Sequence, residues 1–210
     1  MLVRDVMTYN VITVPSTIPI LEAERFLESH RFERLPVVDK GKLVGIVTKD
    51  TLLKASPSPA TSLSRGELLY LLSKLTVKEI MKKNVVTVAP ATTIERATEI
   101  AQENRVGCLV VVEEERVVGI LTTNDIFYKV VNPLFGIGEK GKRIIVYGAG
   151  EVEQVQKVFD CVKKAGFKIK TFWQPMGTEK KDLILHIEAD EIGRLVSQLK
   201  RDGFSVEQRS

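Results

Sequence analysis

The sequence predicts an α+β protein made of a duplicated β-α-β-β-α unit followed by a β-α-β-β-α-β tail. Three observations carry this expectation. A segment of about fifty residues aligns with a later segment at an offset of 74, without a gap. Inside each copy, short β-branched runs flank a stretch with helical spacing of apolar residues. A Gly- and Pro-rich stretch, NPLFGIGEKGK (132–142), then separates the second copy from a pattern that does not repeat.

The alignment sets Arg4–Lys54 against Lys78–Tyr128, and about fifteen of the fifty-one positions are identical. Each copy opens on a β-branched run, VITV or VVTV. Thr17–His30 and Thr92–Asn104 follow as helices, with Ile20, Ala23, Phe26 and Leu27 matched by Ile94, Ala97, Ile100 and Ala101. LPVVD and LVVVE are strands, and turns at DKGK and EEER lead into LVGIV and VVGIL. A short helix follows GIVTKDT in the first copy and GILTTND in the second. About fifty residues bury too little surface to fold alone, so the copies are expected to pack face to face about a pseudo-twofold axis. The expected limits are 1–54 for the first copy, 55–75 for a linker and connecting helix, and 76–131 for the second copy. Residues 132–142 form a second linker and 143–210 the tail. The first linker begins with ASPSPATSLS, Ala55–Ser64, a loop by composition; Arg65–Leu75 then reads as a helix using Leu68, Leu69, Leu71 and Leu72.

In the tail, RIIVYG is a strand and Glu151–Ala165 an amphipathic helix using Val152, Val155, Val158, Phe159 and Val162. FKIKTFW and DLILHIEA are strands, Asp190–Arg201 a helix, and GFSVEQ a closing strand. This order is that of ferredoxin-like domains.

Composition narrows the function. The 210 residues are 44% hydrophobic and 28% charged. No apolar run approaches the roughly 18 residues of a membrane helix, and MLVRDVMTYN has no apolar signal core, so a cytoplasmic protein without membrane contact is expected. The net charge of +4 favours anionic partners only mildly. The densest cationic stretch, EKGKR, contains an acid and no aromatic residue, so no nucleic-acid surface is expected. Cys108 and Cys161 lack CxxC spacing and read as small core residues. With only His30 and His186 beside them, no metal site is expected. His30 falls at a helix end and His186 inside a strand, and neither assembles a catalytic grouping. Trp173 reads as a core or interface residue.

The tandem repeat resembles a pair of cystathionine-β-synthase (CBS) domains, a Bateman module. The resemblance rests on the VM/IM…N-V-x-T-V openings, the LPVVD and LVVVE strands, and the Gly-hydrophobic-hydrophobic-Thr groups before the last helix of each copy. The tail is similar to an ACT domain by element order. A CBS pair followed by an ACT domain is the layout of AcuB-type acetoin-utilisation proteins. ACT domains that bind amino acids usually carry an acidic residue and a Pro-Gly between the first strand and helix. Here YGAGE places Tyr147 and Ala149 there, beside Gly148 and Gly150.

The doubled phrase carries the candidate chemistry. Gly119 lets its strand pass close to a ligand or neighbour. Thr122 stands at a strand-to-helix junction, where outward amides and a hydroxyl can meet a phosphate. Asp125, one helical turn on, can accept hydrogen bonds from a ribose diol. Thr-x-x-Asp is also a capping box, which needs no ligand. The CBS resemblance implies that Thr122 takes phosphate and Asp125 ribose. It adds Ile120 beside the base, Met7, Asn10 and Ile12 from the first copy, and Phe32, Glu33 and Arg34 before LPVV. The mirrored, weaker site is expected at Thr48, Thr51, Ile46, Asn84, Val86, Val106 and Gly107. There Thr51 stands where the other copy has Asp125, and a neutral hydroxyl is the poorer acceptor.

These readings imply a non-enzymatic sensor that binds AMP, ADP, ATP or a relative, requires no cofactor, and forms a homodimer. It would pass its state to the tail or to an unidentified regulated protein. The competing reading is a structural or dimerisation module with empty clefts.

Overall fold

The computed structural model describes residues 1–55, 64–175 and 181–209; most of the ASPSPATSLS loop, residues 56–63, lies outside them. Backbone contacts divide the chain into two units, Met1–Ile126 and Phe127–Ser210. Residues 127–131, expected to close the second copy, group with the second unit.

In the first unit, α1 (Val3–Val6) is followed by α2 (Ile20–Ser29), the hairpin β1 (Arg34–Asp39) and β2 (Lys42–Thr48), and α3 (Lys49–Ala55). Helix α4 (Arg65–Lys74) connects the copies, capped by Ser64 and Glu67. Then come α5 (Val77–Ile80), β3 (Thr87–Val88), α6 (Ile94–Glu103), β4 (Cys108–Glu113), β5 (Arg116–Thr122) and α7 (Thr123–Ile126). Helix α2 buries Ile20, Ala23 and Leu27, the i, i+3, i+7 stripe of a core-facing helix. The connecting helix joins the first copy's core through Leu72.

The copies differ at their first strand. VVTV forms β3, parallel to β4, and the Val110 amide donates to the Val86 carbonyl at 3.2 Å. VITV makes only a single bridge, Val14 to Val37. The residue matching Val110 is Pro36, which has no N–H to give, so the ladder cannot extend.

The opening segment of each copy docks on the other copy, and the hydrogen bonds come in pairs at the offset of 74. The Val3 amide donates to the Thr92 carbonyl at 2.8 Å, and the Val77 amide to Ile18 at 2.9 Å. The Ile94 amide donates to the Met1 carbonyl, and the Ile20 amide to Leu75. Thr8 and Ile120 exchange two backbone hydrogen bonds across an antiparallel bridge, as Lys82 and Ile46 do in the mirrored place. Both hairpins bulge one position beyond Val37 or Val111.

The second unit opens with a π-helical turn (Phe127–Val131) and α8 (Asn132–Phe135), which ends at Gly136 in the left-handed region. There follow β6 (Lys142–Tyr147), α9 (Val152–Lys164), β7 (Ile169–Trp173), β8 (Leu183–Ile187), α10 (Gly193–Arg201) and β9 (Ser205–Arg209). The sheet is antiparallel throughout, in the order β7-β8-β6-β9. Alternate residues Ile144, Val146, Leu183, Leu185 and Ile187 form a core with Val158, Cys161 and Val162 of α9 and Leu195 and Leu199 of α10. Cys161 is thus a core residue, while Cys108 is half-buried. On the other sheet face His186 is fully buried between Arg143 and Thr171 of the neighbouring strands. Gly136 and Gly141 lie against its imidazole so closely that a Cβ at either would overlap the ring. Trp173 packs edge-on to Phe135, with ring centroids 4.8 Å apart.

Candidate functional site

Strand β5 ends at Thr122 and α7 begins one residue later, which sets Asp125 at the first turn of a helix that faces the opening segment of the first copy. Asp125 is only 7% exposed. Its Oδ2 accepts from the Thr122 amide at 2.9 Å and from the Thr122 hydroxyl at 2.7 Å. The Asp125 amide donates back to Thr122 Oγ1 at 3.3 Å, so the Thr-x-x-Asp group caps its helix. Oδ1 meets a different partner, the hydroxyl of Thr8, at 2.9 Å. Capping and the cross-copy contact therefore use different oxygens of one carboxylate.

A cavity of about 380 Å³ opens beside this carboxylate. One wall is the turn itself, Thr122, Thr123, Asn124 and Asp125, with Ile120 from β5. The exchanged segment adds Thr8, Asn10, Val11 and Ile12 to the lining. The turn after α2 supplies Arg31, Phe32, Glu33 and Arg34, and Gly107 completes the lining. Arg34 lies over Gly107, where a Cβ would come within 3.4 Å of its guanidinium. Lys49 donates to Glu33 at 2.8 Å, and that hydrogen bond holds the Glu33 carboxyl below its ordinary range.

Of the residues expected here, Thr122, Asp125, Ile120, Asn10, Ile12, Phe32, Glu33 and Arg34 are brought together. Met7 is not; it is buried against the Cα of Gly119, one strand position behind the lining. Gly107, expected in the other cleft, lines this one. Thr8, Val11, Arg31, Thr123 and Asn124 were not foreseen.

The mirrored residues are not gathered round one described cavity. Asn84 lines an open depression with Lys82 and Lys83. Val106 and Gly107 line a separate apolar groove of about 290 Å³ with Ala97, Ala101 and Leu109. Ile46 is buried, and Val86 is engaged through its carbonyl with β4. Thr51 turns inward: its hydroxyl accepts from the Thr48 amide at 2.7 Å and donates to the Thr48 carbonyl at 2.7 Å. The Glu33–Lys49 ion pair brings two long side chains to positions that correspond to Gly107 and Thr123 of the other half.

Among the described residues, no group of three His, Cys, Asp or Glu side chains is placed to hold a metal ion. None of their helices is long and apolar enough to cross a membrane.

Comparison with known proteins fits this geometry. The chain is 36% identical over 127 residues to the L-aspartate semialdehyde sulfurtransferase of Methanocaldococcus jannaschii, covering 60% of this chain but only 22% of that protein. Among solved structures, the CBS domain pair of protein MJ0100 in complex with 5′-methylthioadenosine and S-adenosyl-L-methionine is 33% identical, with a TM-score of 0.51 over 65% of this chain and 96% of that one. CBSX2 in complex with AMP is 26% identical, with a TM-score of 0.52 over 62% of this chain and 96% of that one. A protein of Vibrio cholerae assigned to acetoin utilization (AcuB) is 29% identical, with a TM-score of 0.54 over 63% of this chain and 91% of that one. The CBS domain model matches residues 3–58 and again residues 77–132, the two copies read from the repeat, and this chain belongs to the CBS domain family.

Proposed function

We propose that this protein is a non-enzymatic sensor that binds one adenosine-containing ligand, AMP, ADP, ATP or a relative, beside Asp125. The observation that carries the reading is a buried carboxylate, fixed through both oxygens, on the wall of a cavity of about 380 Å³. That volume lies within the range of small-molecule sites, roughly 300–1,000 Å³. In this reading Asp125 accepts from a ribose diol, Ile12 and Ile120 flank a base, and Arg31 and Arg34 meet phosphate oxygens; all five line the cavity. The adenosine ligands held by the MJ0100 pair and by CBSX2 support the same class here. The ligands named for MJ0100 lack the 5′-phosphate of AMP, so adenosine is the shared chemistry.

The β-α-β-β-α-β order and the β7-β8-β6-β9 sheet of the second unit support a ferredoxin-like, ACT-type domain over 143–210. In this reading 1–54 and 76–131 are the CBS repeats, joined by 55–75, and 132–142 leads to the tail. The ligand shifts the population between two states of the CBS pair, which the tail or a partner protein reads. The protein acts as a cytoplasmic homodimer; light scattering that gives a 23.5 kDa particle at tens of micromolar would remove that part.

The competing reading is a ligand-free dimerisation module, favoured by a Thr-x-x-Asp group that already caps its helix. Titration calorimetry with AMP, ADP, ATP, 5′-methylthioadenosine and S-adenosyl-L-methionine separates the two. Saturable binding of at least one supports the sensor. No heat and no thermal shift with any of them leaves the dimerisation module.

A further inference from the structure

We propose that Thr8 is the positioning residue for the Asp125 carboxylate, and that the choice of Thr8 with Asp125 over Lys82 with Thr51 confines ribose recognition to one cleft. The ribose role of Asp125 rests on the function proposed above; the Thr8–Asp125 relationship does not.

Two backbone bridges between the copies share one hydrogen-bond pattern. Thr8 and Ile120 exchange hydrogen bonds of 2.9 and 3.0 Å, and Lys82 and Ile46 exchange hydrogen bonds of 2.9 and 3.0 Å. In each bridge the first residue stands beside the strand that leads into the Thr-x-x-Asp or Thr-x-x-Thr turn of the other copy. The bridges match in their hydrogen bonds but not beyond them: Asn10 takes the left-handed region, with φ 53, where Asn84 does not, and the side chains at 8/82 and 125/51 differ.

On one side, a neutral hydroxyl donor meets an acid. Thr8 Oγ1 holds Oδ1 at 2.9 Å while Thr122 holds Oδ2, which fixes the rotation of the carboxylate. A neutral donor does this without cancelling the charge that makes the carboxylate a strong acceptor. On the other side the acid is missing, and Thr51 satisfies itself within its own turn through Thr48. A single hydroxyl oxygen has no second oxygen to offer the facing segment, and that segment offers Lys82 instead of a hydroxyl. The differences at positions 8/82 and 51/125 are thus complementary within one molecule. Lys82 lines an open depression with Lys78 and Lys83, so this segment offers a Thr51→Asp carboxylate cationic charge and not the neutral hydroxyl that orients Asp125.

The test uses the full chain, with calorimetry for AMP and 2′-deoxy-AMP. Wild type is expected to bind AMP at one site per chain and to prefer it over the deoxy ligand. Thr8→Val should weaken AMP roughly five- to tenfold, about 1–1.4 kcal/mol at 1.4 kcal/mol per decade, and weaken 2′-deoxy-AMP less, so the ratio of the two falls. Thr8→Ser should restore the ratio. A loss equal for both ligands, or tighter AMP binding by Thr8→Val, overturns the positioning role. Thr51→Asp with Lys82→Thr should create a second AMP site that Thr51→Asp alone does not; a second site in the single variant overturns the Lys82 part. If wild type binds no adenosine ligand, the proposed function falls, and Thr8 is judged without ligand. A double-mutant cycle of Thr8→Val and Asp125→Asn in urea unfolding then shows coupling if the carboxylate is held by Thr8, and additivity overturns it.

Discussion

Met7 and Gly119 come from different copies and fit only because one of them has no side chain. The Met7 sulfur lies so near the Gly119 Cα that a Cβ there would overlap it. Met81 and Gly45 repeat the arrangement, with a Cβ on Gly45 reaching 2.5 Å from the Met81 sulfur. These two contacts bolt each opening segment to the strand of the other copy, one residue from Thr8 and from Lys82.

Gly119→Ala is therefore expected to destabilise the first unit by about 1–3 kcal/mol, the usual cost of overpacking. Met7 is 4% exposed and has little room to retreat. Because Thr8 adjoins Met7, AMP affinity should fall with stability. Urea unfolding and calorimetry on the same preparation check this; Gly119→Ala with Met7→Ala should cost less than the two changes summed.

Asp125→Ala removes a helix cap and the proposed ribose acceptor together. Adenosine-ligand affinity is expected to fall roughly 10- to 100-fold, equivalent to about 1.4–2.8 kcal/mol. Stability should fall by about 1 kcal/mol through the lost cap. Calorimetry on the folded variant showing unchanged affinity would take Asp125 out of the site.

Glu115 occupies the left-handed region, with φ 63, in the hairpin turn where the first copy has Gly41 at φ 81. Two-residue hairpin turns favour glycine there, because a Cβ is strained at positive φ. Glu115→Gly should stabilise the first unit by about 0.5–1 kcal/mol, even with loss of its exposed ion pair to Lys42. A lower urea midpoint would contradict this.

Burial pushes the His186 imidazole below its ordinary value near 6.5, with Arg143 and Lys170 acting in the same direction and Glu139 against them. The folded chain thus keeps His186 neutral where the unfolded chain protonates it. Stability is fully present above about pH 6.5 and is lost as the pH falls from there toward the lowered folded value. The slope is at most about 1.4 kcal/mol per pH unit. Trp173 is the only tryptophan and lies in the second unit, so its fluorescence during urea unfolding at pH 7.5 and 5.5 reads this unit. His186→Gln should flatten the difference; an unchanged difference would place the proton elsewhere.

The sequence by itself determined the duplication, the stripes of α2 and α6, the hairpins, and the Thr122–Asp125 turn. Each of these is written in local spacing, because a helix or strand buries residues at its own period and a cap needs only neighbours three residues apart. Eight of the nine residues expected at this site, Asp125 included, line one cavity, and it was the CBS resemblance, not local spacing, that named them. Met7 fell outside it because spacing places a residue on a segment without saying what lies between that segment and the cavity.

Tertiary structure alone decided which surface each opening segment would pair with. The bridge of Thr8 to Ile120 joins residues 112 apart in the chain, and no local pattern distinguishes it from pairing within a copy. The same holds for His186, which alternation placed in a strand but which only the packing of Gly136 and Gly141 enclosed. Local periodicity fixes what is buried; which partner buries it depends on long-range hydrogen bonds and on shapes such as a missing Cβ, and these exist only once the copies have closed on each other.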